Sequence, residues 1–178
     1  IRLFYTARGA FQSSATHTTA GITYVPLFDN PAFAGKMVAL YGIRLLRTAY
    51  TGPAIRVINS IGNLTDIYFN TDGSLNTSNF STLAGAGGFL DIVTWYDQSG
   101  NNRHVTSTAN ARPRIFSGNT LQRTTGITGI QRPTIVFNGT NSTLIGSGTL
   151  SVSANIEMFF ALRQNYTGDS RNGGIITA

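Results

Sequence analysis

The chain contains no cysteine. Disulfides and thiolate metal sites are therefore excluded. A secreted protein can do without disulfides, so this absence does not place the chain inside a cell. Acid is scarce as well: Asp and Glu total 7 against 13 Lys and Arg, a formal net charge of +6. Lysine is nearly missing, Lys36 being the only one. The positive balance thus comes from few acids rather than from basic runs, and the closest arginine groupings are Arg44/Arg47 and Arg112/Arg114. Nucleic-acid binders cluster their cations on one face, so no nucleic acid is expected as a partner. No run of 18 or more apolar residues occurs, and no membrane span is expected. No signal peptide is visible, and the chain opens at Ile1 rather than Met, so a processed, trimmed or incompletely registered chain is expected.

What remains is rich in Ser, Thr, Asn and Gly. Such a surface hydrogen-bonds widely and carries little charge, which suits an extracellular, cell-surface or virion β protein. At 178 residues the chain is one domain, or one domain and an arm, and is long enough to bury a core. Residues 1–30 alternate apolar and small polar residues without strong periodicity and read as an N-terminal arm. They hold two short candidate strands, Ile1–Tyr5 and Gly21–Val25. Residues 31–178 read as the domain.

Apolar spacing over Ala34–Ala49 (Met37, Leu40, Tyr41, Ile43, Leu45, Leu46) predicts an early α-helix stopped by Gly52-Pro53. Ala54–Ile58 predicts a strand, Asn59–Thr65 a turn and Asp66–Asn70 a second strand. Leu75–Ala84 predicts a short helix capped by Asn76, Thr77 or Ser78 and broken by Gly85–Gly88. Further strands are predicted near Ile92–Tyr96, Pro113–Phe116, Thr134–Phe137, Leu144–Ile145, Thr149–Val152, Asn155–Arg163 and Ile175–Ile176. Gly118-Asn119 and Asn138-Gly139 mark turns. Short strands at this spacing predict an all-β sandwich or jelly roll. The most apolar strand, Asn155–Arg163, has little chain after it. A central strand needs neighbours on both sides, so the domain is expected to continue beyond Ala178 or to be completed by a partner.

The densest chemistry lies in Trp95-Tyr96-Asp97-Gln98-Ser99-Gly100-Asn101-Asn102. A strand ending in two aromatics and a polar cluster sets stacking surface beside hydrogen-bonding groups. Trp95 and Tyr96 are the candidate stacking residues for a glycan; Asp97, Gln98, Ser99, Asn101 and Asn102 are the candidate polar contacts. The structural reading of the same block is a core Trp followed by an Asx-bonded turn. The alternating oxygen side chains loosely suggest a calcium loop, but no distal carboxylate completes it. No cofactor is otherwise implied, and His17 and His104 lack a third ligand in pattern for zinc. There is no Gly-x-Ser-x-Gly elbow for a serine nucleophile and no dinucleotide loop. Six Asn-x-Ser/Thr sequons, at Asn63, Asn76, Asn79, Asn138, Asn141 and Asn165, would be glycan acceptors in a eukaryotic secreted chain; in a bacterial or phage chain of this composition, the favoured case, they arise by composition alone.

Three blocks resemble the concanavalin A-like (laminin-G-like) jelly-roll domain typified by the catalytic domain of fungal α-L-arabinofuranosidase B. The same domain type recurs in bacterial surface proteins and in phage tail-fibre and other virion proteins. The blocks are Leu40–Val57, Thr94–Asn102, and Arg112–Ile115 with Arg132–Gly139, and the resemblance spans about residues 38 to 163. It implies a jelly-roll sandwich with one early α-helix. It does not carry the enzyme over. Those arabinofuranosidases are retaining enzymes with a carboxylate pair about 5 to 5.5 Å apart, placed well downstream of the Asp-Gln-Ser-Gly block. Here Glu157 sits in an apolar run and the six Asp residues form no recognisable pair, so no catalytic residue is assigned. The expected function is a non-catalytic extracellular or virion module of the tail-fibre or adhesin kind, binding glycan, assembling with other chains, or both. The alternatives are a fragment of a retaining glycoside hydrolase and a purely structural assembly subunit with an open sheet edge.

Overall fold

The computed structural model describes residues 25–125, 129 and 131–146. These residues form mostly short strands in antiparallel sheets with one short helix, an all-β arrangement. The predicted strands Ile1–Tyr5, Thr149–Val152, Asn155–Arg163 and Ile175–Ile176, all of Gly21–Val25 but Val25, and Glu157 lie outside the described residues.

Strand β1 (Ile55–Asn59) pairs with β2 (Leu64–Ile67) on one side and β3 (Phe89–Trp95) on the other. β3 is the hub. Its far edge is shared: Thr94 and Trp95 pair with β4 (Val105–Thr106), while Phe89–Asp91 pair with β5 (Arg114–Ser117). Between the two partners the backbone of Ile92 and Val93 is served by loop residues. The Ile92 N–H donates to the Pro113 carbonyl at 2.7 Å, the Ser107 N–H donates to Val93 at 2.9 Å, and the Ser107 hydroxyl donates to Ile92 at 2.6 Å. A strand can thus fork its partners without orphaning polar groups. β6 (Thr120–Leu121) extends β5 through the Gly118-Asn119 turn, where Asn119 takes φ 63°. β9 (Ile145–Gly146) pairs with β4, and β7 (Arg123–Thr125) with β8 (Gln131–Pro133) forms a separate two-stranded sheet.

Alternation along β1 puts Ile55 and Val57 into the core and Arg56 and Ile58 on the opposite face. A register shift between Arg56 and Val57 leaves Val93 unopposed, so Ile92 and Leu90 face the core while Thr94 and Asp91 face away. Helix α1 (Phe80–Ala84) closes the core, burying Phe80 and Ala84, one turn apart, against the sheet. Phe80 meets Phe116 edge-on at 6.0 Å. Asn76 does not cap α1. Its side chain accepts from Ser78 in an Asx turn one step earlier, and Asn79 occupies the cap position without a side-chain bond.

The early helix over Ala34–Ala49 does not form. Leu27–Asp29 and Pro31–Phe33 are short 3-10 turns, and the segment beyond them is extended and irregular. Its backbone groups bond across the molecule instead of four residues along. Leu45 N–H donates to Gly73, Phe28 N–H donates to Leu46, and the Leu40 and Leu46 N–H groups donate to side chains of Asp97 and Gln98. The apolar spacing was compatible with a helix, but long-range polar partners supply what helical bonds would have supplied. The segment before Pro31 is tied to the same region, since the Asp29 carboxylate accepts from the Thr48 N–H.

Candidate functional site

The polar block after β3 is turned inward. Asp97 and Gln98 are each 1 % exposed, and Ser99 is buried too. The Asp97 Oδ1 accepts from the Leu40 and Ser99 N–H groups, both at 2.8 Å. Its Oδ2 accepts from the Ser99 hydroxyl at 2.7 Å and the Arg103 N–H at 3.0 Å. Burial pushes the Asp97 carboxyl up, but the bonds from Leu40, Ser99 and Arg103 outweigh it and hold the group below the usual carboxylate range. The groups around it present hydrogens to the carboxylate, the setting of an anchored anion rather than of an oxygen facing a cation.

Gln98 works as a three-pronged staple. Its Oε1 accepts from the Leu46 N–H at 2.8 Å, and its Nε2 donates to the Gly42 and Arg44 carbonyls at 2.9 and 3.1 Å. Its own N–H donates to Leu40 at 2.7 Å. Asn101 is exposed, yet its Nδ2 donates to the Met37 and Val38 carbonyls. The Arg47 guanidinium donates to the Ser99 carbonyl and the Tyr41 hydroxyl to the Arg103 carbonyl. Asn102 is exposed and takes the left-handed conformation, φ 55°, that Asn tolerates. Gln98 and Asn101 therefore spend their side-chain amides on the irregular segment 37–47, while Asp97 joins that segment, through Leu40, to its own turn, through Ser99 and Arg103. Trp95, half-buried, packs against the core with Tyr41 at 5.9 Å between ring centres.

Tyr96 points the other way. Register places Asp66, Arg56, Thr94 and Thr106 in one cross-strand row on the face opposite the core. Arg56 grips Asp66 through two bonds, Nε to Oδ1 at 2.8 Å and Nη2 to Oδ2 at 2.7 Å. The Tyr96 hydroxyl donates to the same Oδ1 at 3.0 Å, and the guanidinium lies 5.9 Å from the Tyr96 ring centre. The His104 ring braces Tyr96 edge-on at 4.9 Å, while its Nδ1 accepts from the Asp97 N–H. The Arg56 guanidinium is the main cause holding the Asp66 carboxyl below its usual range. Burial, followed by the bond to Asp66, pushes the Tyr96 phenol up to about 12. A second row on the same face carries Leu64, Ile58, Asp91 and Arg114. There Arg114 also holds its acid with two bonds, at 2.6 and 3.1 Å, and covers the Phe89 ring at 4.4 Å.

Sequence reasoning singled out Tyr96 but missed Arg56, Asp66 and His104. Arg56 and Asp66 stand ten residues apart with a turn between them, and only the β1–β2 register brings them together. Alternation in Ile55-Arg56-Val57 was the available signal that Arg56 faces away from the core. No family model, curated protein or solved structure matches the chain.

Proposed function

We propose that the chain is a non-catalytic adhesion module of an extracellular, cell-surface or virion assembly, built as a concanavalin A-like jelly-roll sandwich and binding glycan. The observation that carries this reading is the state of the sheet's carboxylates. Asp66 is committed to Arg56, Asp91 to Arg114, and Asp97 to three backbone N–H groups and a hydroxyl. A retaining glycosidase needs one carboxyl with a raised pKa as acid and a second as nucleophile. Asp66 and Asp97 are both shifted in the opposite direction. Neither Asp66 nor Asp97 is therefore poised as the general acid.

Assembly with other chains is the second reading. It is favoured by apolar side chains standing exposed at both flanks of the described sheet, Leu64 on β2 and Ile145 on β9. The two readings separate in one experiment. The full chain is co-sedimented with insoluble and bead-coupled polysaccharides, and released reducing sugar is assayed alongside. Retention without release is expected. Sugar release overturns the non-catalytic reading. Absence of retention, with a discrete multimer by native mass spectrometry, moves the function to assembly.

A further inference from the structure

We propose that the Arg56–Asp66 pair, together with Tyr68 and Tyr96, forms a subsite for one sugar residue of a neutral glycan. This rests on the adhesion reading above and places its binding surface away from the buried polar block. Arg56 has five N–H hydrogens, and its bonds to Asp66 use only Nε and one hydrogen of Nη2. Asp66 Oδ1 already accepts from Arg56 and Tyr96, whereas among the described residues Oδ2 accepts from Arg56 alone. A donor edge on Nη2 and an acceptor lone pair on Oδ2 therefore lie side by side. Two adjacent sugar hydroxyls match this pattern: one donates to Oδ2 and its neighbour accepts from the guanidinium. The pair is neutral as a unit, so it favours an uncharged polyol over a sialylated or sulfated one.

Position and rigidity point the same way. The Arg56 side chain is 42 % exposed, and an exposed cross-strand ion pair adds little stability of its own. Yet this one is locked from three directions, by register, by the Tyr96 hydroxyl and by the His104 ring against Tyr96. Preorganisation of that kind lowers the entropy lost on binding. Tyr68, directly after β2, is 50 % exposed and stands two residues beyond Asp66, on the same side of the extended chain. Its ring can take the C–H face of a pyranose or furanose. Asp66 and Tyr68 also border a groove of about 160 Å³ along β2, whose other wall is formed by Asn76, Asn79, Phe80 and Leu83.

The test uses the full chain on an array of neutral hexose- and pentose-terminated oligosaccharides, with sialylated and sulfated glycans as comparators. Tyr68→Ala and Arg56→Gln are run in parallel, and the thermal midpoint of each is recorded. The expected result is binding to neutral glycans, about tenfold weaker in Tyr68→Ala, with its midpoint unchanged, and weaker also in Arg56→Gln. Binding that ignores both substitutions overturns this subsite and leaves the adhesion reading standing. Binding confined to anionic glycans overturns the neutral class. No binding to any glycan overturns the adhesion reading and the subsite together.

Discussion

Replacing Gln98 removes an amide that serves three backbone groups at once. In Gln98→Ala the Leu46 N–H and the Gly42 and Arg44 carbonyls lose their partner in a site where water is largely excluded. The expected loss is about 3 kcal/mol, read as a lower urea midpoint. Gln98→Glu should fare no better, because a carboxylate oxygen would face two carbonyl oxygens. Asp97 and Asp66 make the fold acid-sensitive. Both folded pKa values lie below the ordinary one, so the unfolded chain takes up protons first as the pH drops. Their stabilisation is complete above the unfolded value, about 3.9, and is lost as the pH falls through the folded values. The urea midpoint is expected to hold level from neutral pH down to about 5 and to fall below about 4. Asp97→Asn should start lower at neutral pH and decline less steeply; an acid limb as steep as that of the unaltered chain would remove Asp97 from the account.

At the scale of elements, turns and short strands were legible because their signals are local. Gly85–Gly88 was expected to end a helix, and it does: Gly85 closes α1 with φ 76°. The structure adds a reason for Gly88. A Cβ built there would run into the Ala84 carbonyl oxygen, and the Gly88 carbonyl accepts from Gly118. Gly88→Ala is therefore expected to cost about 2 kcal/mol or more by detaching α1 from the start of β3; an unchanged thermal midpoint would show that the turn can relax. Strand limits moved by a few residues. β2 starts at Leu64, inside the predicted turn, and β3 reaches back to Phe89. The predicted strand at Thr134–Phe137 survives only as a bridge between Val136 and Arg114. The early helix failed for a different reason. Its apolar spacing was real, but Asp97 and Gln98, more than fifty residues away, outcompeted helical hydrogen bonding for the backbone of residues 40–46.

For the described sheet as a whole, β3 carries the load because β1, β4 and β5 all pair with it. Ile92 sits where its partners fork and is fully buried, whereas Ile145 at the flank is 58 % exposed. Ile92→Ala should lower the unfolding free energy by about 3 kcal/mol, and Ile145→Ala by less than about 0.5 kcal/mol. Trp95, the chain's single Trp, lies on β3 and reports the transition by fluorescence. Equal effects at the two positions would mean that β9 is as integral to the sheet as β3.

Composition and periodicity determined that this chain makes short strands of an all-β domain, and where Gly85–Gly88 and Gly118-Asn119 punctuate them. These properties depend on neighbours within a few residues, whose steric and hydrophobic preferences survive in isolation. Tertiary structure alone decided three things. It turned Asp97, Gln98 and Ser99 inward, it left residues 34–49 without a helix, and it set Arg56 against Asp66 beneath Tyr96. Each depends on where a polar side chain finds its partner. A buried hydrogen-bonding group must be satisfied by whatever the fold brings within about 3 Å, and which group that is follows from register and chain path, which no local stretch of sequence specifies.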